Sequence, residues 1–346
     1  MRPHKPLSRQ DFLKLSGLGL AGFITRPLMK FQPRANVRFD NLEGRVIYES
    51  IHTYDIPSFS GKIVRQFWED SVIPITEATI GDEEPAYNRV WYRSGENGYA
   101  HSGGIQPVKT LIQEPVANIP KDGQLAEVSV PYTDARWKPD LNRGAAYRFY
   151  YETTHWVTGL VYDETGSAWY TVLDDKWDLT FYVLAQHLRL IPDEELQPIS
   201  PNVAPRAKRL EVRTREQLVI AYEWDTPVFM ARAATGAEFS NGRFYTPEGR
   251  HYTFHKRPSR HMAAGNLAHN GYDLPGVPWI CYITEKGVAF HGTYWHNDFG
   301  TPRSHGCINL PSQAAKWVYR WTVPVVPPQE QRAYTINGGT RVDIYW

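Results

Sequence analysis

Cysteine is almost absent from this chain: Cys281 and Cys307 are the two in 346 residues. A disulfide framework is thereby excluded, and a bridge between those two would silence the residue whose surroundings look reactive. Charge of either sign is not in excess. The 38 basic and 37 acidic side chains leave a formal charge of +1, which argues against a nucleic-acid binder that works through bulk electrostatics. Beyond the N-terminus no run approaches the roughly 18 uninterrupted apolar residues of a membrane-spanning helix. What is abundant is aromatic and turn-forming. With 12 Trp, 21 Tyr, 26 Gly and 26 Pro, the composition favours many short strands joined by tight turns, a mainly β protein.

Residues 1–30 read as an export signal or N-terminal anchor. Basic residues (Arg2, Lys5, Arg9) precede Ser8-Arg9-Gln10-Asp11-Phe12-Leu13-Lys14 and a short apolar stretch from Leu15 to Ile24. That stretch is too short to span a bilayer comfortably and suits the apolar part of a signal. The pattern resembles a twin-arginine export signal, except that Gln10 stands at the second arginine. Without a convincing small-x-small cleavage site before Arg34, a retained membrane anchor also fits.

Two similar blocks follow, assigned to 31–115 (with a lead-in) and 116–197. The first contains Val72–Ile75, Arg89–Arg93, the hairpin signal Asn97-Gly98 and Ile105–Val108. The second contains Thr158–Val161, Ala168–Val172, Phe181–Val183 and Leu188–Ile191. Trp91-Tyr92 and Trp169-Tyr170 are 78 positions apart, which suggests duplication. The blocks resemble tandem Src-homology-3-like small β-barrels. In envelope enzymes such modules often hold wall polymers; spacer barrels with purely structural aromatics are the equal alternative. The proline-rich stretch 198–208 is read as a linker.

From residue 209 to the end, short strands lead to Phe290-His291-Gly292 and then to Ser304-His305-Gly306-Cys307, with Asn309 just beyond. A free thiol is only a few per cent ionised at neutral pH, so a neighbouring imidazole has to take its proton. Cys307 is the candidate nucleophile and His291 the candidate general base and acid. His305 is placed in support, either electrostatically or by holding the loop. Ser312 is expected to cap a helix from Gln313 to about Trp321, with Ala314, Trp317, Val318 and Trp321 on its buried stripe. Cys281, flanked by Ile280 and Tyr282, reads as core. Lys256, Arg257, Arg260 and His261 read as a solvated basic face. Seven histidines lie after residue 250 (251, 255, 261, 269, 291, 296 and 305). Zinc hydrolysis through His291, His296, His305 and Cys307 is the rival chemistry.

These C-terminal residues resemble the L,D-transpeptidase catalytic domain, the YkuD-like family of bacterial envelope enzymes. The features are Thr235-Gly236 after an early hairpin, the turn Thr246-Pro247-Glu248-Gly249, His291-Gly292, the Ser-His-Gly-Cys box and a closing strand. Twelve residues separate His291 from Ser304, slightly fewer than is usual in the family. Asn309 stands where many members carry Arg and others Asn. The resemblance implies a β-rich fold with a short helix after the nucleophile, no cofactor and no metal. It implies a peptidoglycan stem tetrapeptide as substrate, attacked by Cys307 and cross-linked to an amine of a neighbouring stem. It makes the Gly292 carbonyl the group that orients His291, and the N–H groups of Gly306 and Cys307 the oxyanion hole. Ser304, Arg303, Asn309 and Tyr294 are candidates to meet substrate, Arg303 through a carboxylate; the alternative is that Ser304 and Asn309 fix the loop through backbone hydrogen bonds and that Arg303 and Tyr294 are exposed loop side chains. An L,D-carboxypeptidase, or a wall-binding protein without activity, is the alternative function. The cell envelope is the expected location, and nucleic acid is not an expected partner.

Overall fold

The computed structural model describes residues 36–346, apart from 83, 241, 267–270 and 337. The export signal or anchor assigned to 1–30, and His269, lie outside the described residues. The chain is mainly β, as composition predicted.

The first unit has seven strands: β1 (Val37–Val46), β2 (Ser50–Tyr54), β3 (Ile63–Trp68), β4 (Val72–Ile80), β5 (Val90–Arg93), β6 (Tyr99–His101) and β7 (Ile105–Val108). The second repeats them as β8 (Gln124–Val128), β9 (Tyr132–Arg136), β10 (Ala145–Tyr150), β11 (Thr154–Tyr162), β12 (Ala168–Asp174), β13 (Leu179–Leu184) and β14 (Leu188–Leu190). Their sheet orders are β3-β2-β6-β5-β4-β1-β7 and β10-β9-β13-β12-β11-β8-β14. Adding seven to each label of the first order gives the second. Trp91 on β5 and Trp169 on β12 therefore occupy equivalent central strands, and both are fully buried. A single 3₁₀ turn precedes the last strand in each unit, Ser102–Gly104 and Ala185–His187. The duplication read from the Trp-Tyr spacing is thus a duplication of topology. Each order ends in two strands that do not pair with one another, so the expected barrels are open at the level of hydrogen bonding among the described residues.

The C-terminal unit contains β15 (Lys208–Arg213), β16 (Leu218–Glu223), β17 (Thr226–Arg232), β18 (Glu238–Phe239), β19 (Gly242–Arg243), β20 (Gly249–Tyr252), β21 (His255–Ala264), β22 (Tyr272–Tyr282), β23 (Ala289–Gly292), β24 (Ile308–Leu310), β25 (Ala333–Tyr334) and β26 (Arg341–Tyr345). Helix α1 (Ser312–Trp321) lies between β24 and β25. Two five-stranded sheets, β17-β16-β15-β26-β20 and β24-β23-β22-β21-β25, supply most of its core. Leu210, Val212 and Val342 meet Phe290, Ile308 and Val318 in one apolar cluster.

Helix α1 departs from expectation in two ways. Pro311 occupies the N-cap position with no side-chain capping bond, and Ser312 is the first helical residue. Proline is suited to the extended conformation that precedes the first turn. Val318 and Trp321 of the expected stripe are buried, joined by Ala315 and Tyr319, whereas Ala314 and Trp317 are only partly buried against the same core. Trp317 instead stacks on Phe229, with ring centroids 4.1 Å apart. At the other end of α1, two lysines satisfy carbonyls that no helical N–H can reach. Lys256 Nζ donates to Tyr319 O at 2.5 Å and Thr322 O at 2.8 Å. Lys208 Nζ donates to Trp321 O at 3.0 Å. Positive charge also complements the negative end of the helix dipole.

The basic face predicted at 256–261 is not solvated. Lys256 is buried beneath α1, and its three companions are paired. Arg257 and Arg260 meet Asp175 at 2.8 and 2.7 Å. His261 lies between Asp174, at 2.5 Å, and Asp273. Asp174 closes β12, so the second unit is clamped electrostatically to β21. It is also joined apolarly, since Leu125, Trp156, Ile191 and Leu196 share the C-terminal core. The stretch read as a linker is consequently pinned: Ile199 N donates to Arg320 O at 3.0 Å, and Lys208 Nζ to Ile199 O at 2.8 Å.

Candidate active site

Cys307 and His291 come from neighbouring segments of one sheet. Strands β23 and β24 are parallel, with Phe290 opposite Ile308 and His291 opposite Asn309. Cys307 sits in the bend that leads into β24, beside the strand that carries His291. Both side chains line one cavity of about 440 Å³, together with Arg303, Ser304, His305 and Asn309. The expected thiol and imidazole are therefore brought to a common space. Both cysteines are free, with Cys281 buried in the core.

Gly292 is held close to its surroundings. A Cβ there would lie 2.7 Å from Pro278 and 3.1 Å from the Ser312 hydroxyl. Its carbonyl accepts a hydrogen bond from His291 Nδ1 at 2.9 Å. A carbonyl only accepts, so the ring proton sits on Nδ1 and Nε2 keeps its lone pair. That is the tautomer a general base needs.

The Cys307 loop is braced by Thr235 and Thr246, turn residues that belong to the family resemblance. Thr235 O accepts from Arg303 N at 2.9 Å and Ser304 N at 3.0 Å. Gln217 fixes Thr235 in turn, through two bonds of 2.7 Å. Thr246 Oγ1 accepts from Gly236 N and donates to Gly306 O, both at 2.9 Å. Gly306 has φ +109°, and a Cβ there would find no neighbour nearer than 3.6 Å. Backbone conformation, not space, is what requires glycine at this position.

Ser304 is buried and committed to the loop. Its hydroxyl donates to Cys307 O at 2.6 Å and accepts from Gly306 N at 3.1 Å. The Gly306 N–H expected in an oxyanion hole is therefore occupied in this state. Arg303 lines the cavity, but its guanidinium is paired with the Asp298 carboxylate. Asn309 is buried, with its side-chain amide 3.0 Å from His296 Nε2. His305 is exposed and stacks on Phe239, with centroids 4.6 Å apart.

Tyr294 does not meet the cavity. It is buried, donates its hydroxyl to Pro275 O at 3.3 Å and stacks on Tyr150 of the second unit at 5.2 Å. Its neighbour Trp295 lines the cavity instead. The apolar remainder of the lining comes from Phe239, Met262, Tyr272, Leu274 and Val288. These lie on strands and loops distant in sequence, and nothing in their local pattern marks them. His291, His296, His305 and Cys307 do not assemble into a metal-ligand group among the described residues.

Burial sets the resting protonation. It pushes the Cys307 thiol up to about 11, partly offset by the backbone N–H of Ala289. It pushes His291 down to about 4, against the Gly292 hydrogen bond. The low-dielectric setting disfavours each charged form, so the pair rests as neutral thiol and neutral imidazole.

Residues 207–344 match the YkuD family, L,D-transpeptidase catalytic domain. The C-terminal part of the chain carries that domain. No curated protein matches the sequence. Among solved structures, the chain is similar to the Ldtfm–avibactam carbamoyl enzyme, at 22% identity and TM-score 0.32, covering 41% of this chain and 49% of that one. The chain thus spans about half the length of that relative. It is also similar to an L,D-transpeptidase from Xylanimonas cellulosilytica, at 21% identity and TM-score 0.29, over 46% of this chain and 72% of that one. An L,D-transpeptidase from Mycobacterium smegmatis is 15% identical with TM-score 0.33, over 56% of this chain and 91% of that one.

Proposed function

We propose that this protein is a peptidoglycan L,D-transpeptidase of the cell envelope that works through a cysteine acyl-enzyme. The reading rests on one observation above all: a thiol and an imidazole with its Nε2 lone pair free share a cavity within a YkuD domain. Cys307 Sγ attacks the carbonyl that follows an L-centre in a stem tetrapeptide while His291 Nε2 takes the thiol proton. The tetrahedral oxyanion is received by the Cys307 N–H, joined by that of Gly306 if the Ser304 hydroxyl releases it. The bond to the terminal D-residue breaks, and His291 returns its proton to the departing amine. A thioester remains. An amine on a neighbouring stem attacks it with His291 accepting a proton, the C–S bond breaks, and the thiol is restored. Every atom of both peptides is accounted for without ATP.

The preceding pair of seven-stranded units fits Src-homology-3-like modules. The decisive experiment incubates the purified protein with wall stem peptides and follows the products by mass spectrometry. A cross-linked dimer is expected, with Cys307→Ala forming neither dimer nor thioester. Release of the D-residue by that variant at the parental rate would refute the mechanism, and a trimmed tripeptide alone would identify a carboxypeptidase.

A further inference from the structure

We infer that Asp298 is a positioning residue of the catalytic cavity, and that the first β-unit holds it in place through Tyr87, Asn88 and Gly103. Asp298 lies on the loop between His291 and Cys307 and is 2% exposed. The Tyr87 hydroxyl donates to its Oδ2 at 3.1 Å, and Asn88 Nδ2 donates to its Oδ1 at 3.3 Å. Both donors belong to the first unit, more than 200 residues earlier in the chain. The third partner of the same carboxylate is the Arg303 guanidinium, which lines the cavity that contains Cys307. One buried carboxylate therefore ties the first unit to the cationic side chain closest in sequence to the nucleophile.

A second branch leaves the same residue through its backbone. Asp298 N–H donates to His296 Nδ1 at 3.4 Å. On the other side of that ring, the Asn309 side-chain nitrogen lies 3.0 Å from Nε2. Asn309 is in register with His291. The loop is fastened to the first unit at further points. Asn297 N donates to Gly103 O at 3.2 Å, and Arg45 Nη2 donates to Tyr294 O at 2.7 Å. Gly103 fits against the carboxylate itself, since a Cβ there would lie 2.8 Å from Asp298 Oδ1.

The physical consequence concerns Arg303. A guanidinium on a long, flexible stem loses much side-chain entropy when it is fixed. Its pairing with a buried carboxylate, itself held by two donors, fixes the guanidinium before substrate arrives and lowers the cost of binding an anion. The first unit then acts as part of the cavity rather than as a remote module. The substrate group concerned is a carboxylate, which rests on the transpeptidase reading. The positioning itself does not depend on that reading.

The test uses the full chain with Tyr87→Phe, which removes one bond to Asp298, and Gly103→Ala, which crowds it. Both changes lie outside the catalytic cavity. With stem peptides, each variant is expected to raise KM by at least about five-fold while kcat stays within about two-fold, the signature of disturbed positioning. The readout independent of catalysis is alkylation of Cys307 by anionic iodoacetate relative to neutral iodoacetamide. That ratio is expected to fall in both variants toward the value of Arg303→Gln, with the iodoacetamide rate unchanged. If both variants keep the parental ratio while Arg303→Gln lowers it, Asp298 does not position Arg303 and the inference is overturned. If the parent forms no acyl-enzyme with stem peptides, the proposed function fails, and the alkylation ratio alone decides the positioning.

Discussion

The protonation of the resting pair gives a sharp expectation for the reactivity of Cys307. A thiol at about 11 holds roughly one part in 10⁴ as thiolate at pH 7, against about 3% for a free cysteine near 8.5. That is a roughly 300-fold deficit in the attacking species. A more basic thiolate is intrinsically more nucleophilic, and a Brønsted coefficient of about 0.4–0.5 returns roughly ten-fold. Iodoacetamide should therefore alkylate Cys307 about 20- to 30-fold more slowly than free cysteine at pH 7. The rate should climb nearly ten-fold per pH unit, with no plateau up to pH 9 or so. The alternative is a stable thiolate–imidazolium pair. The gap between a thiol at about 11 and an imidazole at about 4 corresponds to about 10 kcal/mol against charge separation. Attraction between the two charges at contact, with an effective dielectric of about 20, returns only about 4 kcal/mol. Neutral partners win, so His291→Ala should abolish acyl transfer yet change alkylation by less than about three-fold. Mass-spectrometric alkylation rates from pH 5 to 10 decide the matter. A rate that is flat between pH 5 and 8, or that collapses in His291→Ala, would refute this reasoning.

Two further outcomes follow from the geometry. Gly306→Ala places a Cβ in an open space but at φ +109°, so it should destabilise the Cys307 loop by about 1–3 kcal/mol; acyl-enzyme formation should fall more than the midpoint of thermal unfolding does. For His261, burial alone would lower the pKa, but its hydrogen bonds to Asp174 and Asp273 outweigh that and raise it. A raised folded-state pKa adds stability that is complete below the unfolded value, near 6.5, and is lost as pH rises through the folded value. Thermal unfolding midpoints should therefore decline upward from about pH 6.5 more steeply in the parent than in His261→Gln; equal slopes would remove His261 from the account.

Much of the site could be read before any fold was known, for chemical reasons. A thiol needs a base, and His291-Gly292 with Ser304-His305-Gly306-Cys307 supplies both within a short span. The repeat of Trp91 and Trp169 announced a duplication because a buried indole on a central strand is hard to replace. What misled were side chains whose partners are remote. Arg257, Arg260 and His261 look like a solvated run until Asp174 and Asp175 of the second unit meet them. Tyr294 looks like a cleft residue until Tyr150 and Pro275 take it, leaving Trp295 to face the cavity.

The order of residues along the chain pointed to the atoms proposed for the chemistry: one sulfur beside a glycine, and one imidazole ahead of a carbonyl that fixes its tautomer. These are local matters, decided by covalent neighbours and backbone conformation. Tertiary structure alone settled the electrostatics and the company those atoms keep. It buried His291 and took Cys307 largely out of water, so that neither rests charged, turned Thr235 and Thr246 from turn residues into braces, and set Tyr87 and Asn88 against Asp298. Hydrogen bonds and desolvation act over a few ångströms of space, and a span of some 200 residues along the chain carries no record of which groups will come within that reach.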